Sequence, residues 1–250
     1  MTKKELVLVG PPASGKGTQT SKLSGYLKFP HVDTGSLLRK ALADQTPDGL
    51  TAKSYIEKGQ LVPVEIVASI IKTRLQDADC ANGFILDGFP RSTEQAEMLG
   101  EMLKEIDGNN EVDFKVVYFD IDQQLLLDRI IYRRSCSKCG KIYNLQSLKP
   151  QKDGVCDDCG AELNQRKDDT EEIAKARFDT YFKETAPLID FYEKKGSLTK
   201  INANGEVDEV WDIGKLKRSK RNKKELRKEL IQVAAMALKA LDCLDKFVDY

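Results

Sequence analysis

The stretch Gly10-Pro11-Pro12-Ala13-Ser14-Gly15-Lys16-Gly17-Thr18 decides the fold. It follows residues 5–9 (ELVLV), an apolar run of the length and composition of a buried parallel strand. Residues 16–28 then read as a helix. A glycine-rich turn between a strand and a helix lets several backbone N–H groups point inward, and the helix N-terminus adds positive potential. Lys16 can reach a phosphate as a mobile point charge. The phosphate-loop consensus places Ser or Thr directly after the lysine. Here Gly17 intervenes and Thr18 follows.

Outward from the loop, residues 83–86 before Asp87 and 114–119 before Asp120 read as further buried strands. Helical patterns occupy 65–77, 92–106 and 122–134. A long helix is expected over 169–194, ended near Gly196, then a short strand at 198–201 and a short helix at 206–213. Strand–helix alternation implies an α/β fold, a parallel sheet flanked by helices. His31, Cys80, Cys243, Trp211, Tyr181, Phe182 and Tyr192 read as structural or surface residues rather than chemistry.

The 250 residues carry 40 Lys+Arg and 40 Asp+Glu, so a general nucleic-acid coat is excluded. At 40% hydrophobic and 32% charged, the chain is globular rather than disordered. No run approaches the ~18 apolar residues of a membrane span. The N-terminal MTKKELVLVGPP is too short in apolar residues for a secretory signal, so a cytoplasmic protein is expected. Residues 214–250 differ, with 11 Lys/Arg against 5 Asp/Glu. Nine of the basic residues fall in 215–228, and Leu226, Leu230, Val233, Ala237, Leu241, Leu244 and Val248 follow as one helical apolar stripe. Packing on the body, self-association, and binding to RNA, an acidic partner or a membrane surface all remain readings of this tail.

Residues 135–163 are poor in large apolar side chains and cannot bury a core. They contain Cys136-x-x-Cys139 and Cys156-x-x-Cys159, separated by 16 residues and each followed by glycine. This is the spacing of a structural zinc site, in which four thiolates close a tetrahedron. Disulfides are the competing reading, and the spacing does not separate zinc from iron.

Further strings carry a resemblance. Asp33-Thr34-Gly35-Ser36-Leu37-Leu38-Arg39 is similar to the T-G-D-M-L-R segment of adenylate kinases and their nucleoside monophosphate kinase relatives. Asp87-Gly88-Phe89-Pro90-Arg91-Ser92 with Gln95 resembles the D-G-F-P-R-x-x-x-Q signature of that family. Asp128-Arg129-Ile130-Ile131-Tyr132-Arg133-Arg134 and Arg166-Lys167-Asp168-Asp169 with Arg177 resemble its lid-flanking arginines. The likeness covers residues 5–213 and is closest to the zinc-lid bacterial type. It implies a phosphate-loop core (1–33, 66–132, 171–213), a helical AMP-binding insert (34–65) and a small zinc-ribbon-like lid (133–170).

The resemblance also assigns roles. Gly10 to Thr18, Arg129, Arg133, Ile142, Tyr143 and Gly205 would hold ATP, with Ile142 and Tyr143 over the adenine. Thr34, Gly35, Arg39, Gln60, Leu61, Val62, Gly88, Phe89, Pro90, Arg91, Gln95, Arg166 and Arg177 would hold AMP. Asp87 would orient Mg²⁺, and Lys16, Arg91, Arg129, Arg133, Arg166 and Arg177 would supply catalytic charge. The expected reaction turns Mg·ATP and AMP into two ADP, in a monomer. Two rivals remain: a kinase taking UMP or CMP, and a zinc-ribbon nucleic-acid binder. Ala13 replaces a usual loop glycine, so the turn is expected to avoid positive φ there. Ser36-Leu37 replaces Asp-Met, and Val64 stands where the family often has an acidic residue.

Overall fold

The computed structural model describes residues 2–108, 110–205 and 210–211. The expected closing helix at 206–213, apart from Val210 and Trp211, lies outside these residues, as do Cys243 and the 214–250 tail.

Among the described residues, β1 (Lys3–Val9), β2 (His31–Asp33), β3 (Gly83–Asp87), β4 (Val112–Asp120) and β8 (Leu198–Asn202) form one parallel sheet in the order β2-β3-β1-β4-β8. β1 is the middle strand and is covered on both faces, which is why its second half, Leu6–Val9, is a continuous apolar run rather than an alternating one. Its side chains still divide by the two-residue period of a strand. Val7 and Val9 join Phe84, Leu86 and Val116 on one face. Leu6 and Leu8 join Ile85, Val117 and Phe119 on the other.

Helices cover both layers. The first face packs against α4 (Val64–Leu75), α5 (Thr93–Asp107) and α8 (Leu188–Lys194) through Ile71, Leu99 and Leu188. The second receives Leu23 from α1 (Lys16–Leu27) and Leu126 from α6 (Leu126–Ile131). α2 (Thr34–Ala43) and α3 (Pro47–Glu57) form a helical insert beside β2. The chain runs from β1 toward β2 on one side, and β4 and β8 lie on the other. The crevice where the strand order reverses therefore opens at the carboxyl end of β1, at the glycine-rich loop.

The segment expected to be a lid carries a second sheet, β6-β5-β7, antiparallel, from β5 (Arg133–Cys136), β6 (Ile142–Asn144) and β7 (Leu163–Asn164). This corrects two helix expectations. The helix expected at 122–134 is a 3₁₀ turn and α6, ending at Ile131, because Arg133 leaves it to pair with Asn144. The helix expected at 169–194 is α7 (Glu171–Thr180), a π turn (Tyr181–Thr185) and α8. Pro187 has no N–H and its ring crowds the carbonyl four residues back, so one continuous helix cannot form. Thr170 caps α7 by accepting from Ile173 N at 3.3 Å.

Candidate active site

The loop after β1 folds around its own lysine. Lys16 Nζ donates to the carbonyls of Gly10 and Pro11, both at 2.7 Å, and to Ser14 Oγ at 3.1 Å. Gly15, the N-cap of α1, has φ 91° and supplies no side-chain cap. The first amides of α1 thus remain available to an anion in the crevice. Ala13 corrects an expectation: its φ is 63°, so this turn enters the left-handed region with a side chain in place.

Positive charge converges on the loop. Lys16, Arg91, Arg129, Arg133, Arg166 and Arg177 all border one cavity, with Gly10, Pro12 to Thr18, Asp87, Ile142, Tyr143 and Gly205. An adjoining cavity is bordered by Thr34, Gly35, Gln60, Leu61, Val62, Gly88 and Gln95. Arg39, Arg91 and Arg177 border both. Pro90 faces the first, whereas Phe89 is 1% exposed and belongs to the core beneath. Pro11 reaches the site through its carbonyl on Lys16.

The electrostatics fit a site built for anions. Burial pushes Lys16 down to about 8, with Arg91, Arg177 and Arg133 adding repulsion and Asp87 opposing it. Burial, then the neighbouring Arg133, pushes both Arg166 and Arg177 down to about 10. Arg91 is lowered by burial as well. Cations withdrawn from water and set beside one another gain most when an anion enters between them.

Two carboxylates hold this cluster together. Asp169 takes Arg133 through both oxygens, with Nε at 2.8 Å from Oδ2. Arg177 NH1 stands 3.3 Å from Asp168 and 3.7 Å from Asp169. Burial pushes the Asp168 carboxyl up, yet Arg177, Arg39 and Arg133 outweigh it and hold it below its usual range. Arg166 Nε donates to Ser135 Oγ at 3.0 Å, and Arg129 reaches Gly205 O at 3.4 Å.

On the insert side, Arg91 Nε donates to Gly88 O and its N–H to Gln95 Oε1, each at 2.7 Å. Asp33 caps α2 by accepting from Gly35 N at 3.0 Å and Ser36 N at 3.2 Å. Its carboxylate also takes the Ser36 hydroxyl and lies 3.5 Å from Arg39. Asp87, 7% exposed at the end of β3, lies 3.5 Å from His31 Nε2.

The sequence alone assigns no role to Asp168, Asp169, Ser135 or Gly59. The acidic pair directly after Arg166-Lys167 was the available signal. Gly59 follows α3, and a Cβ there would lie 3.0 Å from Arg177 Cγ and 3.2 Å from Ile173 O. A side chain would push the insert off α7, and no local pattern announces that.

In the lid, the sulfurs of Cys136, Cys139, Cys156 and Cys159 lie within 4.8 Å of one another. Cys136–Cys159 and Cys139–Cys156 are 3.4 and 3.6 Å apart, so no disulfide links them. A regular tetrahedron with ~2.3 Å metal–sulfur bonds has edges of about 3.8 Å, which these spacings approach. The two turns are built alike. Each leading cysteine N–H bonds the carbonyl five residues on, Lys141 at 2.9 Å and Ala161 at 2.8 Å. Each following glycine donates back to that cysteine, with φ of 75° at Gly140 and 71° at Gly160. Tyr143 is 1% exposed, and its hydroxyl lies 3.6 Å from Cys156 Sγ. Its ring is lid core, while Ile142 lies over Gly17, 3.6 Å from where a Cβ would stand.

A family model described as Adenylate kinase matches residues 8–197. An adenylate kinase of Archaeoglobus fulgidus (strain ATCC 49558) is 46% identical over 206 residues, 82% of this chain and 94% of that protein. One of Clostridium tetani (strain Massachusetts / E88) is 44% identical over 207 residues, covering 83% and 94%. One of Geobacillus sp. (strain WCH70) is 45% identical over 206 residues, covering 82% and 94%.

Proposed function

The chain belongs to the adenylate kinase family, and on that premise we propose that its wider cavity takes ATP and the adjoining one AMP. The protein is a phosphotransferase of the nucleoside monophosphate kinase type, with ATP, AMP and ADP as substrates and Mg²⁺ accompanying ATP. The observation that carries the site assignment is the junction. Arg91 and Arg177 border both cavities, so a phosphorus passing from one to the other stays within reach of the same two guanidinium groups.

The mechanism follows from charge and position. The α1 amides and Lys16 hold the donor phosphates, and Arg129, Arg133 and Arg166 neutralise the equatorial oxygens as transfer proceeds. The planar arginine fork grips phosphate through two bonds, which fixes direction as well as charge. The acceptor is an AMP phosphate, already an anion, so no general base is required. Thr34, Arg39, Gln60 to Val62, Gly88 and Gln95 place AMP, and holding both reactants in line removes much of the entropic barrier. Asp87, at the crevice end of β3 beside Lys16, fits the role of orienting Mg²⁺ through its waters. Mg²⁺ when bound neutralises phosphate charge.

Residues 133–170 act as the lid and 34–65 as the acceptor insert. Arg133 leads into the lid and Arg166 leads out, so lid closure delivers both to the phosphates and excludes water that would hydrolyse ATP. Four thiols in two matched turns fit a closed tetrahedral zinc, which would hold together a segment with little apolar core. The enzyme is proposed to be a cytoplasmic monomer; among the described residues no helix is long and apolar enough to cross a membrane.

The test is a coupled assay of ADP formation with AMP, CMP, UMP and GMP as acceptors. AMP is expected to be the preferred acceptor. A preference for UMP or CMP would overturn the assignment of the acceptor cavity.

A further inference from the structure

Arg91 is fixed at three points, and the third comes from a distant part of the chain. Its side chain and N–H are held by Gly88 and Gln95, which lie within the same β3–α5 connection. Its carbonyl accepts from Thr185 Oγ1 at 2.7 Å. Thr185 ends the π turn, is 5% exposed and borders the wider cavity.

A threonine in a helix ordinarily bonds the carbonyl four residues back. Thr180 does so, to Ala176 O at 2.9 Å, and also reaches Gly59 O at 3.2 Å. The Thr185 hydroxyl goes across to Arg91 instead. The π turn explains the difference. At about 100° per residue, Thr185 in an unbroken α-helix would lie about 80° around the axis from Arg177. One inserted residue reduces that to about 20°, which puts the hydroxyl on the face of the helix that carries Arg177. One segment therefore grips both walls of the acceptor cavity, Gly59 of the insert through Thr180 and Arg91 of the core through Thr185.

We propose that Thr185 is a positioning residue that fixes Arg91 for the acceptor phosphate. The proposal rests on the assignment of the adjoining cavity to AMP. A half-buried carbonyl deprived of its donor turns to find another, and the guanidinium attached to the same residue moves with it.

Thr185→Val keeps the shape and removes the hydroxyl, whereas Thr185→Ser keeps the hydroxyl. AMP affinity, measured by calorimetry without ATP, and KM for AMP are expected to weaken about tenfold in Thr185→Val, the change that 1.4 kcal/mol makes. KM for ATP should stay within about twofold, and Thr185→Ser should restore AMP affinity. The proposal is overturned if Thr185→Val weakens ATP and AMP alike, if it leaves AMP affinity unchanged, or if Thr185→Ser fails to rescue. If Thr185→Val does not fold, Thr185→Ala takes its place with the same criteria. Failure of the wild-type protein to bind AMP would instead remove the cavity assignment itself.

Discussion

Asp169, with no exposed side-chain surface, takes the guanidinium of Arg133 through both carboxylate oxygens while standing 3.7 Å from Arg177. Removing one partner of a buried pair leaves the other uncompensated, at a cost of about 3 kcal/mol or more. Asp169→Asn is therefore expected to lower Tm by about 6–12 °C for a chain of this size. It would leave Arg133 and Arg177 repelling each other. Addition of ATP, whose phosphates replace the lost negative charge, should recover more stability in Asp169→Asn than in the wild type. Calorimetric scans with and without ATP check this, and an equal ATP effect in both proteins would refute it.

The lid offers a second test. Cys136→Ser and a strong chelator are each expected to lower Tm substantially while changing kcat at low temperature far less, because the four thiols surround no reacting atom. Metal analysis should find one ion per chain, and zinc rather than iron. A melting temperature indifferent to both treatments would end the structural-metal reading.

Ala13 predicts a gain. Its φ of 63° is strained for a side chain and free for glycine. Ala13→Gly should stabilise by up to about 1 kcal/mol, the relief being partly offset by the greater freedom of glycine in the unfolded chain. Denaturant midpoints measure it, and a clear loss of stability would contradict the strain argument.

Lys16 sets a pH limit. Burial places its ammonium at about 8, so it is charged at neutral pH and loses its proton as pH rises through that value. ATP binding that requires the charged form should weaken about tenfold per pH unit above it. Bound phosphate stabilises the charge, so the complex should keep its proton to higher pH than the free protein. Titration calorimetry at pH 7 and 9 distinguishes this from a flat profile.

The appended tail predicts no change. The family model matches residues 8–197 and does not reach residues 214–250. Deleting 214–250 is expected to leave kcat and both KM values within about twofold in the coupled assay. A large fall in turnover would assign those residues to the site.

The parts legible from sequence were those written locally. The apolar run 5–9, the glycine turn and the C-x-x-C spacing each encode their geometry within a few residues of chain. What escaped depends on partners far away. Arg133 leaves the helical pattern of 122–134 because Asn144 pairs with it. The π turn inside 169–194 precedes Pro187 and turns Thr185 toward Arg91. The Asp168–Asp169 pair that collects the arginines stands in the same string as Arg166, but its contacts with Arg133 and Arg177 were not legible, since a DD dipeptide alone reads as surface. Ala13 shows the opposite failure, a sound local rule overridden by the loop around it.

The strand order also has a consequence for how the chain is made. Among the described residues β8 pairs only with β4, yet the whole lid and α7–α8 lie between them in sequence. On a translating ribosome the first four strands can assemble while the edge beside β4 is still open. The small β5–β7 unit must then settle on its own before residues 198–202 arrive to finish the platform. Nascent chains stalled before residue 198 should hold a metal-bound lid on an incomplete sheet, and should gain resistance to proteolysis in a single step when β8 emerges.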